Sequence, residues 1–180
     1  ANYDNLASFL EEMGELKRVK RSGWWHCGVR DPESVAEHSF RTAIIAYVLA
    51  CERGEENPEK IAFQALLHDV SESRLLDKHR ASQHYLPKAR ETEKKIIEDQ
   101  AELLPQKTRG RFLELFSEKN ELVKEADVLE FLLQAKEYEE SGYKHAKTLN
   151  EGSKDRLHTR EGKALAKTFR QAREPWWKKF

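Results

Sequence analysis

Residues 34–53 read SVAEHSFRTAIIAYVLACER, and this stretch decides the fold class. Ser34 and Glu37 stand in the S-x-x-E arrangement of a capping box, in which the two side chains satisfy free backbone N–H groups of the first helical turn. The apolar residues that follow recur at helical spacing, and His38 shares its face with Leu49. The stretch therefore predicts an amphipathic helix with a histidine directed towards the protein interior.

Helical spacing also dominates the rest of the chain, whereas 8 Gly and 5 Pro supply too little turn material for a β-sandwich or a barrel. We therefore predict an all-α fold of about six or seven helices in a single domain, with the terminal Trp176 and Trp177 docked on its core. Helices are predicted over 4–16, 34–53, from 58 to about 68–72, 87–104, 108–116, 120–140 and 159–173, with a loop at 17–31, a polar stretch around 78–83 and a loop at 142–160. The core is expected over about 5–140, and the loop and last helix at 142–180 are expected to be an appendage.

The charge pattern excludes several classes of function. The 32 Lys and Arg balance the 32 Asp and Glu, which argues against a general nucleic-acid binder. Residues 154–180 hold nine basic and three acidic residues, and we interpret them as a solvated helix face, with a phosphate or partner contact as the alternative. The longest apolar run, 42–51, falls short of the ~20 residues that span a bilayer. Residues 1–12 lack the pattern of a secretory signal, so a cytoplasmic protein is expected.

Familiar motifs of other enzyme classes are missing from the sequence. Cys27 and Cys51 fit neither a metal-binding nor a redox spacing, and both are expected to be free thiols. The sequence contains no G-x-G-x-x-G, no G-x-x-x-x-G-K-[ST] and no G-x-S-x-G. Dehydrogenase, P-loop and thiol mechanisms are therefore excluded.

Four possible metal ligands occupy positions where apolar residues would be expected: His38, His68, Asp69 and Asp127. Asp127 is the most informative, because Val123 and Phe131 lie on either side of it in one row of the predicted helix. A carboxylate in such a row costs several kcal/mol unless it is paired or bound to a metal. The pattern therefore requires a positively charged partner for this carboxylate.

Two His nitrogens and two Asp oxygens would suit a divalent ion such as Mn, Fe, Co, Ni or Zn, with positions left open for water or phosphate. The residues alone leave an alternative open. In it, His38 is a hydrogen-bonded core histidine, an arginine such as Arg41 pairs with Asp127, and His68-Asp69 caps a helix. A helical interaction module, with a structural metal or none, is the corresponding alternative function.

The order of these ligands resembles that of the HD-domain metal-dependent phosphohydrolases, in which a His is followed by an adjacent His-Asp pair and then by an Asp. The resemblance extends over about residues 5–140 and is strongest to the branch that contains the 5'-deoxynucleotidases. It is carried by Leu16-Lys17-Arg18, Arg21-Ser22-Gly23-Trp24, Pro32-Glu33-Ser34-Val35-Ala36-Glu37-His38-Ser39, Leu67-His68-Asp69 with Glu72, and Glu125-Ala126-Asp127.

The resemblance implies an enzyme that hydrolyses a nucleoside 5'-monophosphate, with the deoxy form as the expected substrate, and that forms a homodimer. The implied metal ligands are His38, His68, Asp69 and Asp127. A divalent ion held by these residues lowers the pKa of a bound water and screens phosphate charge. Another phosphate ester, such as a nucleoside triphosphate or a cyclic nucleotide, is the alternative substrate.

The remaining implied roles fall on residues near the ligands. Glu72 lies one helical turn after His68, where it could act as general acid or base, and Asp69 belongs to the same catalytic group. The resemblance assigns the substrate phosphate to Arg21, the nucleotide to Trp24 and the sugar to Asp77.

The sequence departs from the family at one point. A small residue, often Gly, usually precedes the acidic residue near the sugar, whereas Leu76 precedes Asp77 here. The basic residues Lys78 and Arg80 follow, and they could contact phosphate or base or form a solvated loop.

Overall fold

The computed structural model describes residues 2–86, 89–117, 119–150, 153–171 and 174–180, and in these ranges it is helical without a strand. Its α-helices are α1 (Tyr3–Glu15), α2 (Val35–Glu52), α3 (Pro58–Leu67), α4 (Glu72–Leu75), α5 (Arg80–His84), α6 (Ala89–Glu102), α7 (Gln106–Glu114), α8 (Glu121–Glu140) and α9 (Arg160–Phe169). Short 3-10 helices cover Ser22–Cys27, Ala146–Asn150, Ser153–Arg156 and Trp176–Lys179.

The all-α prediction is confirmed, and the two shortest helices of the described ranges, α4 and α5, are the ones it did not anticipate. The predicted start of one helix at Pro87 and the predicted end of another at Arg173 lie outside the described residues. Within the described ranges, no helix is both long enough and apolar enough to span a lipid bilayer.

Caps fix the starts of the two helices that carry His38 and Asp127. At α2, the Ser34 hydroxyl accepts a hydrogen bond from the Glu37 N–H at 3.2 Å, and the Glu37 carboxylate accepts one from the Ser34 N–H at 2.6 Å. At α8, the Asn120 side chain accepts a hydrogen bond from the backbone of the second helical residue. These caps are local in sequence and fix where both helices start.

The main core lies between α2, α3, α8 and α9. Its buried residues include Ala46, Leu49, Ala50, Ile61, Ala65, Leu122, Ala126, Leu129, Leu157 and Ala166. A second cluster joins α1, α6 and α7 to the starts of α2 and α4, and a third surrounds Trp24 beside α8. The C-terminal segment thus contributes Leu157 and Ala166 to the main core.

The four-residue helix α4 is far too short to be stable alone and depends on tertiary contacts. The carboxylate of Glu12 in α1 accepts hydrogen bonds from Ser73 Oγ at 2.9 Å, Arg74 Nε at 2.8 Å and Gln100 Nε2 at 2.7 Å. Burial disfavours the charged form of Glu12, but these bonds outweigh burial and hold its pKa below the usual value. The hydrogen bonds to Glu12 therefore hold α4 in place, and with it Glu72.

The structure differs from the sequence prediction in the loops and at the end of the chain. The predicted loop at 17–31 contains a 3-10 helix, because Trp24 is buried and orders the chain around it. The docking of Trp176 and Trp177 on the core was wrong, since their exposed fractions are 70% and 61%. Their rings contact each other, with centroids 5.9 Å apart, and two lysines follow them in the same solvent-exposed turn.

Candidate active site

The structure brings the four predicted ligands to one place. His38 comes from α2, His68 and Asp69 from the end of α3, and Asp127 from α8. Ligand atoms of His38, His68 and Asp69 all lie within 4.8 Å of one another. Asp127 Oδ1 joins them at 3.3 Å from His38 Nε2. Segments that are far apart in the sequence therefore present nitrogen and oxygen donors to a common point.

Hydrogen bonds on the far side of each imidazole set its orientation. His38 Nδ1 lies 2.5 Å from Glu130 Oε2, and His68 Nδ1 lies 2.6 Å from the carbonyl oxygen of Ala65. Because carboxylate and carbonyl oxygens only accept, each Nδ1 carries the hydrogen. Each Nε2 is therefore directed at the common point, as in histidines that bind metals.

The donor set fits a divalent cation. His68 Nε2 is buried and has no hydrogen-bond partner among the described residues, although it lies 3.1 Å from Asp69 Oδ2. A buried polar atom without a partner is costly, and a metal ion would satisfy it. Two imidazole nitrogens with two carboxylates form the mixed set that first-row divalent metals accept.

The electrostatic field at this point favours positive charge. Burial and the neighbouring Arg21 lower the pKa of His38, but hydrogen bonds to Asp127 and Glu130 outweigh them and raise it to about 10. Burial raises the pKa of Asp69, yet the adjacent His68 holds it well below its usual range. The same field would favour a divalent cation, which replaces the protons of the imidazoles when it binds.

Arginines surround the carboxylates, although not in the arrangement of the sequence-based alternative. Arg41 bonds to Glu130 at 2.9 Å rather than to Asp127. Asp127 instead lies 3.9 Å from Arg21 and 3.7 Å from Arg156. Both distances exceed hydrogen-bond length, so the contacts are ion pairs that a ligand can rearrange.

Arg21 lies at the centre of the acidic group. Its guanidinium is 3.3 Å from Asp69 and 3.8 Å from Asp77, in addition to the contact with Asp127. Burial lowers the pKa of Arg21, but the three aspartates outweigh burial and raise it further above its already high value. The side chain therefore stays charged and is held where an anionic group of a ligand would meet it.

A cleft of about 480 Å³ opens beside the ligand cluster, with polar and apolar walls. The predicted site residues among its lining are Arg21, Trp24, Asp69, Glu72, Asp77, Lys78, Arg80 and Asp127. Glu72 Oε2 is buried without a hydrogen-bond partner in the described ranges. Burial and repulsion by Asp69 and Asp77 raise the pKa of Glu72 to about 9. A protonated carboxyl group at the wall of a cleft is suited to donate a proton.

Trp24 serves as a buried wall of the cleft. Its exposed fraction is 2%, its ring stacks on Phe131 with centroids 4.8 Å apart, and its Nε1 donates a hydrogen bond to Glu33 at 3.0 Å. These contacts anchor the 3-10 helix Ser22–Cys27 to α8. The contact of Trp24 with a nucleotide stays a prediction.

Asp77 is held by the same 3-10 helix. Its Oδ2 accepts hydrogen bonds from the Ser22 backbone N–H at 2.5 Å and from the Ser22 hydroxyl at 2.7 Å. The preceding Leu76 has φ 60° and ψ 163°, a region that is nearly restricted to glycine. Leu76 therefore adopts a backbone conformation that glycine favours, although it carries a side chain.

Two acidic residues near the site were not predicted from the sequence. Glu130 orients His38 and is itself fully buried, and Glu33 bonds to Trp24. A signal for Glu130 was present, because it lies three residues after Asp127 in an apolar stretch of α8. Its partners in α2 could not be identified from the sequence, since the pairing is tertiary.

Comparison with known proteins agrees with this geometry. The family model described as HD domain matches residues 13–171, so the chain belongs to the HD domain family. The chain is 33% identical over 147 residues to the human protein 5'-deoxynucleotidase HDDC2, covering 78% of this chain and 71% of the relative. A relative of the same name from Dictyostelium discoideum is 32% identical over 148 residues, covering 75% and 78%.

The fold agrees with solved structures as well. A Pyrococcus horikoshii protein superposes with a TM-score of 0.72 and 29% identity, covering 91% of this chain and 95% of its own. The sequence-based resemblance to the HD-domain family and its 5'-deoxynucleotidase branch is thereby confirmed.

Proposed function

We propose that this protein is a metal-dependent phosphohydrolase that converts deoxynucleoside 5'-monophosphates to nucleoside and inorganic phosphate. The observation that carries the proposal is the convergence of His38, His68 and Asp69 within 4.8 Å, with Asp127 beside them. The two aspartates of this group line a cleft of about 480 Å³. A cleft of this size is large enough for a small ligand. The names of the relatives support a nucleotide substrate.

The residues of the cleft have separate roles in the proposed reaction. When bound at the four ligands, a divalent ion supplies an activated water and offsets the charge of phosphate oxygens. Arg21 neutralises the phosphate group and holds it in line for attack. Glu72, whose pKa is raised by burial, donates a proton to the departing 5' oxygen.

The nucleoside is placed by the other walls of the cleft. Trp24 provides an apolar surface for the nucleotide, and Asp77 faces the sugar. The mixed donor set favours Mn, Co, Ni, Fe or Zn over Mg and Ca, which prefer oxygen ligands alone. A cytoplasmic location stays a prediction from the sequence, which cell fractionation would test.

The test is phosphate release from a panel of deoxynucleoside and ribonucleoside 5'-monophosphates with added Mn or Co. We expect the wild type to release phosphate and His68→Ala to lose nearly all activity, since one ligand nitrogen is removed. His145→Ala is the matched control, because this exposed histidine lies outside the cleft lining and should leave the rate unchanged. Equal turnover by the wild type and His68→Ala would refute the proposal.

Another phosphate ester is the second candidate, and the basic residues of the cleft favour it. Lys78 and Arg80 line the same cleft and could bind further phosphate groups of a nucleoside triphosphate. Product analysis separates the candidates. A triphosphate substrate would give tripolyphosphate if the 5' bond is cleaved, or pyrophosphate if the bond between the α and β phosphates is cleaved, whereas a monophosphate gives only inorganic phosphate.

We also propose that the protein forms a homodimer through α2. Four large apolar side chains on this helix, Phe40, Ile44, Tyr47 and Val48, are exposed by 42% to 66%. None is charged, so the face can pack against a copy of itself without like-charge repulsion. Light scattering should give a dimer mass for the wild type and a monomer mass for Ile44→Asp. Leu10→Asp, at an exposed position of α1, is the control, and a monomeric wild type would contradict the proposal.

A further inference from the structure

The segment before α9 brings to the cleft a further arginine, which the sequence motifs did not single out. Arg156 lines the cleft together with Arg21 and Asp127, although it lies 29 residues after Asp127 in the sequence. It belongs to the 3-10 helix Ser153–Arg156, which lies against α8. The basic end of the chain therefore contributes positive charge to the candidate active site.

A buried carboxylate fixes this segment in place. Glu125 of α8 is 1% exposed and accepts hydrogen bonds from the backbone N–H groups of His158 and Thr159, at 2.5 and 2.7 Å. The Thr159 hydroxyl donates to the other carboxylate oxygen. A side chain at Gly162 would collide with Glu125, so this close approach requires glycine. The chain around Arg156 is thus held against α8 by charge-assisted bonds at the start of α9.

The position of Arg156 suits the binding of an anion. Its Nη2 lies 3.7 Å from Asp127 Oδ2, while Arg21 lies 3.9 Å from Asp127 Oδ1. The two guanidinium groups therefore approach different oxygens of the same carboxylate, which belongs to a predicted metal ligand. Arg156 is half exposed, and its contact with Asp127 is longer than a hydrogen bond, so its donors stay available to a ligand.

We propose that Arg156 binds the phosphate group of the substrate together with Arg21. This inference rests on the proposed function, because it assigns a residue to the same cleft. An arginine presents several donors in a planar fork that matches phosphate oxygens. A phosphate group placed beside Asp127 would thus lie near two guanidinium groups.

The experiment compares Arg156→Gln and Arg156→Lys with the wild type, using the deoxynucleoside monophosphate that the wild type hydrolyses fastest. We expect Arg156→Gln to raise KM and the inhibition constant of inorganic phosphate about 10- to 100-fold, the value of charge-assisted hydrogen bonds. The kcat should change less than about five-fold, since the contact is made in ground state and transition state alike. Arg156→Lys should recover part of the affinity because it retains the charge.

Direct binding of inorganic phosphate to the Mn-loaded protein, measured by calorimetry, provides a readout that does not depend on turnover. The affinity for Mn itself should stay the same or rise in Arg156→Gln, because a positive charge beside Asp127 is removed. Arg160→Gln is the matched control, because Arg160 is an exposed arginine at the start of α9 and lies outside the cleft lining.

The outcomes separate this inference from the proposed function. A wild type that hydrolyses no monophosphate would refute the function, while calorimetry would still decide whether Arg156 binds phosphate. An active wild type with unchanged KM and phosphate affinity in Arg156→Gln would overturn the role of Arg156 alone. A fall in kcat without a change in KM, or a lysine variant no better than glutamine, would overturn it as well.

Discussion

Leu76 offers a direct test of the backbone that presents Asp77 to the cleft. Its φ of 60° and ψ of 163° place it in a region that L side chains rarely adopt, immediately before an aspartate held by Ser22. We predict that Leu76→Gly is more stable than Leu76→Ala. At an ordinary position of the chain the order is the reverse.

The magnitude follows from three contributions. A non-glycine residue in this region costs about 1–3 kcal/mol. Glycine removes that cost but gives the unfolded chain more freedom, which costs about 0.5–1 kcal/mol. The leucine side chain is 61% exposed, and both variants lose its packing, so this contribution nearly cancels between them. The glycine variant should therefore exceed the alanine variant by about 0.5–2 kcal/mol in free energy of unfolding.

Urea unfolding, followed by circular dichroism, measures this difference. The control pair is Leu10→Gly and Leu10→Ala, because Leu10 is exposed to 62% and lies within α1. There alanine should be the more stable variant by about 1 kcal/mol. If alanine at position 76 is as stable as glycine or more so, the argument from backbone strain is refuted.

Three further predictions concern the supports of the site. Glu12→Gln should lower the free energy of unfolding by about 1–3 kcal/mol at neutral pH. Because Glu12 has a lowered pKa, this stabilisation is present above its ordinary pKa and is lost as the pH falls through the folded value. Urea unfolding of the wild type and the variant at several pH values should show that their difference in free energy of unfolding shrinks as the pH falls. A difference that stays constant with pH would contradict this prediction. Glu130→Gln should weaken metal affinity about 10- to 100-fold in competition with a chelator, whereas Glu137→Gln, which also removes a partner of Arg41 but not of His38, should not. Chelation should abolish phosphate release but leave the helical circular dichroism almost unchanged, and a parallel loss of both would indicate a structural ion instead.

Much of the fold could be predicted because its signals are local. The capping box at Ser34 and the capping Asn120 lie within a few residues of the helices that they start. The short helices α4 and α5 were not predicted, since a helix of four or five residues depends on contacts from elsewhere. For α4 the contact is Glu12, which lies 60 residues before Glu72 in the sequence.

The end of the chain was predicted less well for the same reason. Its final helix was expected to be an appendage, yet Leu157 and Ala166 lie in the main core. Nothing in the local sequence shows that a carboxylate of another helix caps the start of α9. That carboxylate, Glu125, has its partners more than 30 residues away. The single-domain organisation stays a prediction.

The ligands could be predicted from the sequence because a charged or polar side chain in an apolar row of a helix needs a partner or a bound ion. This rule identified Asp127, but α8 contains two more buried acids to which it applies equally, Glu125 and Glu130. Each has a different partner: Glu125 binds the segment that carries Arg156, Asp127 faces the ligand cluster, and Glu130 orients His38. A helix that served only the core would be apolar at all three positions. The departure of α8 from that pattern agrees with its proposed role in the site, since one rigid helix places Glu125, the predicted ligand Asp127 and the partner of the predicted ligand His38 at fixed spacing.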